Sequence, residues 1–196
     1  MEKLSPEEEY WDGRYRSENT GWDLGRVSPP IYEYFRQIES KDISILIPGC
    51  GNSYEAEALL SLGFENITLI DLSPTLTDNL RQKFSSGDNH IEILTGDFFD
   101  HRGKYDIIVE QTFFCAIDTA MRSHYVKKAH ELLTDKGKLI GLLFDRSFAS
   151  SPPFGGTLEE YITLFAGHFV TRHMERCYNS VTSRDGYELF ISLVKR

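Results

Sequence analysis

The chain has 196 residues, 40% hydrophobic and 26% charged, an ordinary soluble composition and enough length for one domain, 1–196, with a sizeable core. Its formal net charge of -9, with 30 acids against 21 bases and no Lys or Arg block, argues against a phosphate-tracking nucleic-acid binder. No apolar run approaches the roughly 20 residues that cross a bilayer, and the leading MEKLSPEEEYW has no apolar stretch for a signal sequence, so a cytoplasmic protein that meets no membrane is expected.

At the N-terminus, Ser5-Pro6-Glu7-Glu8-Glu9 combines an N-cap residue, proline at the first helical position and acids in the first turn, predicting a helix from Pro6 to about Ser17. A Gly- and Pro-rich loop follows, Asn19 to Pro30, carrying Trp22 and Arg26. Both tryptophans of the chain, Trp11 and Trp22, precede the first sheet strand, with Tyr15 between them. They either plug the segment onto the domain or close over a ligand. A short helix is expected at Pro30 to Gln37, with Ile31, Tyr34, Phe35 and Ile38 on one face.

From Ile43 strands alternate with helices. Strands are expected at Ile43 to Ile47, Ile67 to Ile70, Ile91 to Leu94, Tyr105 to Val109, Lys138 to Phe144, Phe169 to Cys177 and Tyr187 to Val194. Helices are expected near Ser53 to Leu62, Pro74 to Phe84, Met121 to Leu133 and Leu158 to Phe165. Continuous apolar runs such as Ile43 to Ile47 mark strands buried on both faces. The fold class is therefore α/β: a doubly wound, Rossmann-like, mostly parallel seven-stranded sheet. The last two strands, joined by a helix-free loop, should form an antiparallel hairpin at one end.

Chemistry-bearing residues cluster after the strands. In Pro48-Gly49-Cys50-Gly51 the glycines allow a sharp turn and close approach to a ligand. Asp71, ending the next strand 20 residues after Gly51, stands where a carboxylate accepts ribose hydroxyls, with Leu72 beside it. The third glycine of a dinucleotide fingerprint is replaced by Tyr54, which disfavours a pyrophosphate and leaves an NAD(P)-binding oxidoreductase as the first alternative. Asp97 and Phe98 after the third strand offer an acid and a ring to an adenine, or simply an Asp-initiated turn. The unusually apolar loop Glu110-Gln111-Thr112-Phe113-Phe114-Cys115-Ala116-Ile117 after the fourth strand suggests a pocket wall. Cys50, Cys115 and Cys177 lack metal-ligand spacing, so no metal is expected, and His124, His130 and His168 read as surface residues.

Taken together, GWDLGR at Gly21 to Arg26, IPGCG at Ile47 to Gly51, IDLSP at Ile70 to Pro74, GDFF at Gly96 to Phe99, FFCAI at Phe113 to Ile117 and PPF at Pro152 to Phe154 resemble the thiopurine S-methyltransferase superfamily. The closest branch is the plant thiol, thiocyanate and halide methyltransferases. The resemblance implies S-adenosylmethionine as methyl donor, S-adenosylhomocysteine as product, and a small thiol or soft anion as acceptor. It also implies that Trp11, Tyr15 and Trp22 close over the cofactor as part of a lid at 1–38, that Gly49, with Cys50 and Gly51, approaches its methionine part, that Asp71 holds the ribose, that Asp97 and Phe98 hold the adenine, and that Gln111 faces the methionine moiety and the acceptor. Arg26, Phe113, Phe114, Pro153 and Phe154 are expected around the acceptor. In-line displacement by a thiolate or soft anion needs alignment rather than a strong base, so no catalytic acid or base is nominated. A monomer is expected, and a non-catalytic binding protein is the remaining alternative.

Overall fold

Four consecutive buried residues, Ile45–Pro48, form strand β1 at the middle of a seven-stranded sheet. The computed structural model describes residues 4–85 and 91–196, so the first three residues of the expected lid lie outside the described residues. β1 runs parallel to β2 (Ile67–Asp71) on one side, with Ile45 opposite Ile67, and to β4 (Tyr105–Gln111) on the other, with Ile45 opposite Ile107. β3 (Ile91–Thr95) extends the sheet beyond β2, and β5 (Leu133–Phe144) extends it beyond β4. β7 (Glu188–Lys195) lies antiparallel between β5 and β6 (Phe169–Arg176), giving the order β3-β2-β1-β4-β5-β7-β6.

The pleat sorts the apolar residues of each strand onto two faces. Ile45, Ile47, Ile107 and Val109 pack with residues of α2 (Pro29–Arg36), α3 (Tyr54–Ser61) and α4 (Pro74–Lys83). Leu46, Ile108 and Leu139 join the opposite core with α5 (Arg122–Leu132) and α6 (Leu158–Phe165). No helix of the described residues is long and apolar enough to cross a membrane.

The predicted helices and strands are present, with shifted ends. α1 spans Pro6–Arg16, and its capping box is complete: the Ser5 hydroxyl accepts from the Glu8 N–H while the Glu8 carboxylate accepts from the Ser5 N–H. The first strand begins at Ile45 rather than Ile43, because Ser44 is occupied by the Asp106 carboxylate, which accepts from both its N–H and its hydroxyl at 2.9 Å. β5 begins earlier than expected: Leu133 already pairs with Tyr105, and Lys136, at φ 65, marks the irregularity before Lys138 resumes the ladder opposite Ile107.

β4 ends around Glu110, which is fully buried. One carboxylate oxygen accepts the N–H groups of Phe113 (2.9 Å) and Phe114 (2.8 Å), and the other accepts the Tyr125 hydroxyl at 2.7 Å. On the neighbouring strand Gly141 leaves no space for a side chain, since a Cβ there would lie 1.9 Å from the Glu110 carbonyl oxygen.

Burial pushes the Glu110 carboxyl up from 4.5 to about 7. The folded protein therefore holds a proton there that the unfolded chain releases, and this group's contribution to stability falls as pH rises from about 4.5 to 7, by on the order of 3 kcal/mol. Glu110→Gln keeps an acceptor for the two N–H groups and a donor for Tyr125 without the charge. In urea denaturation at pH 5 and pH 8 the wild type is expected to lose more stability across this interval than the variant; equal losses would contradict the assignment.

Candidate active site

Strand order reverses between β1 and β4, so the crossovers leave on opposite faces and open a cleft at the carboxyl ends of these two strands. Gly49, at φ 55, turns the chain sharply out of β1. A Cβ at Gly49 would lie 2.3 Å from the Phe113 ring, so glycine is what lets Phe113 lie across the turn. Thr112, at φ 60, redirects the chain after β4 and brings Phe113 there.

Asp71, at the end of β2, is buried, with one oxygen accepting the Ser73 N–H at 3.0 Å and the other facing the Gly51 N–H at 3.4 Å. Burial raises its carboxyl from 3.8 to about 6. Ser73 caps α4 by accepting the Leu76 N–H at 3.1 Å, and its hydroxyl donates to Asp12 on α1 at 2.7 Å. The same Asp12 oxygen accepts the Thr75 N–H at 2.9 Å, and its other oxygen meets Arg16 at 3.2 Å. Asp12 thereby latches the N-terminal helix onto the turn that holds Asp71.

These elements enclose a cavity of about 460 Å³, within the roughly 300–1,000 Å³ usual for small-molecule sites. Trp11, Tyr15 and Trp22 form one wall. Their rings meet edge to face, Trp11 to Trp22 at 5.5 Å and Tyr15 to Trp22 at 5.8 Å, and Arg14 lies over Trp22 at 5.2 Å. Gly49, Asp71, Leu72, Asp97 and Phe98 form the floor, and Phe113 and Pro153 face them. One Asp97 oxygen accepts the Phe99 N–H at 2.8 Å, an Asp-initiated turn that leaves the other oxygen for a ligand.

Six of the expected site residues do not line this cavity. Cys50 is buried in the core with its N–H on the Ile70 carbonyl at 3.3 Å, and Gly51 gives its N–H to Asp71; both shape the turn from behind. Gln111 lies behind the left-handed Thr112, on a separate cavity of about 10 Å³ shared with Glu188. Arg26 is exposed and away from the wall. Phe114, unlike the half-buried Phe113 beside it, is fully buried in the core, under the Arg122 guanidinium at 4.6 Å. Phe154 lies on an outer groove, fixed by its N–H on Cys115 (2.6 Å) and its carbonyl on Arg122 (3.2 Å).

In their place the cavity is lined by charged residues that the sequence did not mark as site residues: Glu7, Arg14, Arg146 and Arg184. Burial, then the nearby Asp97, raises the Glu7 carboxyl above its ordinary value. Arg184 comes from the loop between β6 and β7 and donates to the Trp22 carbonyl at 2.6 Å and to the buried Glu188 at 3.3 Å, tying the N-terminal segment to β7. Among the described residues no histidine lines the cavity; the Cys115 thiol is pushed up to about 12, first by burial and then by Glu110, and burial keeps the Tyr15 hydroxyl protonated well above its ordinary value. Among the described residues, no group of three or more His, Cys, Asp or Glu is arranged to hold a metal ion.

A model of the family described as thiopurine S-methyltransferase matches residues 6–188. Probable thiol methyltransferase 2 of Arabidopsis thaliana is 31% identical over 156 residues, covering 77% of this chain and 69% of the relative. Thiocyanate methyltransferase 1 of the same plant is 26% identical over 193 residues, covering 93% of this chain and 82% of the relative. Among solved structures, Burkholderia thailandensis 1,6-didemethyltoxoflavin-N1-methyltransferase shares the fold with a TM-score of 0.74 at 16% identity, over 100% of this chain and 92% of its own.

The Asp12 latch makes a specific prediction. Asp12→Ala removes the acceptor of the Ser73 hydroxyl and the Thr75 N–H, and is expected to cost about 1–3 kcal/mol. Hydrogen exchange should accelerate mainly over residues 4–24; a loss spread evenly over the sheet would show that Asp12 does not act as a latch.

Proposed function

The chain belongs to the thiopurine S-methyltransferase family, and we propose that it moves the methyl group of S-adenosylmethionine to a small thiol or soft anion, in the class of hydrosulfide, thiocyanate, halide or aromatic thiol. The observation that carries this reading is the buried Asp71 carboxylate at the end of β2, facing a cavity walled by the aromatic N-terminal segment and, among the described residues, lined by no histidine. The names of the thiol and thiocyanate methyltransferase relatives support the acceptor class.

The residues present fit the cofactor. Asp71 keeps unoccupied lone pairs toward the cavity beyond its two backbone donors, suited to the hydroxyl pair of a ribose. The unshared Asp97 oxygen and the Phe98 ring suit the amino edge and face of an adenine. The cofactor supplies a methyl group on a sulfonium centre that a nucleophile displaces in line. Gly49 permits close approach of the backbone, while the π faces of Trp22 and Phe113 attract positive charge. Trp11, Tyr15 and Trp22 exclude water from the cavity. Cys115 and Tyr15 are held protonated, so the catalytic contribution is alignment of an acceptor that arrives as an anion.

Two measurements test this reading. Headspace detection of methylated volatiles, with hydrosulfide, thiocyanate and iodide as acceptors beside an aromatic thiol, is expected to give product with at least one of them; thermal stabilisation by NADH and none by S-adenosylhomocysteine would contradict it. Asp71→Asn is expected to weaken S-adenosylhomocysteine binding by about 1–3 kcal/mol in calorimetry. Because the free Asp71 carboxyl titrates near 6, wild-type affinity should rise from pH 5 to pH 7, and the variant should lose that rise.

A further inference from the structure

Three arginines line the cavity, and they differ in what balances them. Arg184 is buried and paired with Glu188. Arg14, on α1, has no ion pair among the described residues, but it donates to the Asn19 carbonyl at 2.8 Å and covers Trp22. Arg146 makes no ion pair among the described residues. The neighbouring carboxylate, Asp145, is taken: one oxygen meets Arg176 at 2.9 Å and the other accepts the Leu158 N–H at 3.2 Å.

Arg146 is nonetheless held in place. Its guanidinium lies over the Tyr187 ring at 4.3 Å and the Phe148 ring at 4.8 Å. Its carbonyl accepts the Gly156 N–H at 3.1 Å, and Gly155 passes so close that a Cβ there would lie 1.8 Å from the same oxygen. Arg146, Phe148 and Pro153 line both the cavity and an outer groove of about 900 Å³, so the guanidinium stands at the partition between the two. Its Nε–H donates to the Ser147 carbonyl at 3.3 Å, and the stacked rings leave the edge formed by the two Nη groups, which matches a carboxylate in two parallel hydrogen bonds. In a chain of net charge -9, this exposed, ring-stacked arginine, with no carboxylate partner among the described residues, has the chemistry to receive a substrate anion.

We propose that Arg146 selects acceptors carrying a carboxylate several bonds from the nucleophilic sulfur, so that the preferred substrate is a carboxylated organic thiol rather than a bare inorganic anion. This rests on the methyl-transfer reading above. The transfer step is unaltered: the sulfur of the acceptor thiolate gains the methyl, the bond from that methyl to the donor sulfonium breaks, and the distal carboxylate takes no covalent part.

The test compares 4-mercaptobenzoate with 4-mercaptobenzamide, which has nearly the same shape and no charge. Wild type is expected to favour the acid by about tenfold in kcat/KM, the lower range for a charged hydrogen-bonded contact that solvent reaches. In Arg146→Gln that ratio should fall to about one, while Arg146→Lys should retain a preference for the acid. A wild-type ratio near one, or a ratio unchanged in Arg146→Gln, overturns the proposal. If neither thiol is methylated, the methyl-transfer reading is decided by the hydrosulfide, thiocyanate and iodide assays, and calorimetry with 4-(methylthio)benzoate and its amide, each added to protein saturated with S-adenosylhomocysteine, decides on Arg146. Acid binding about tenfold tighter than amide in wild type and equal in Arg146→Gln supports the site; equal affinities in wild type overturn it.

Discussion

The carboxylate of Asp71 sits at the end of a buried strand, and it has to be satisfied where water is scarce. Its acceptor capacity is met by backbone N–H groups from two separate turns, Gly51 after β1 and Ser73 after β2. That requirement fixes the two turns relative to each other and aims the remaining face of the carboxylate into the cavity. Ser73 passes the constraint onward, since it also caps α4 and donates its hydroxyl to Asp12. One buried acid thus organises the glycine turn, a helix start and the docking of the N-terminal helix.

A second buried acid does the same on the other side of the switch point. Glu110 gathers the N–H groups of Phe113 and Phe114 and the hydroxyl of Tyr125, which sets the loop after β4 with Phe113 over Gly49. The cavity therefore lies between two turns, each held by a carboxylate whose ionisation burial disfavours. The N-terminal segment lines the third side and is held at two points: Asp12 ties it to α4, and Arg184 ties Trp22 to the loop before β7.

The architecture was legible in the sequence because β-branched runs such as Ile45 to Ile47 leave few alternatives to a buried parallel strand. Asp71, Asp97 and Gly49 were legible because their place follows from strand ends. Side-chain direction within loops was not. Phe113 and Phe114 are equivalent in composition, yet the left-handed Thr112 sends one to the cavity and the other to the core. The same turn leaves Gln111 behind it. Arg26 drew attention through its motif, whereas the arginines on the cavity wall come from α1, from the end of β5 and from the loop before β7, brought together by tertiary folding with no local pattern. Asp12 was invisible for a similar reason: its partners lie 61 and 63 residues away.

We place the cofactor in the cavity built on Asp71 and Asp12 and walled by the N-terminal segment. Hydrogen exchange followed with and without saturating S-adenosylhomocysteine tests it most directly. The account predicts slowed exchange at Gly51, Ser73 and Phe113 together with residues 4–24. Binding that leaves the 4–24 segment exchanging at its free rate, or that protects only the outer groove around Phe154 and Gly155, would contradict it.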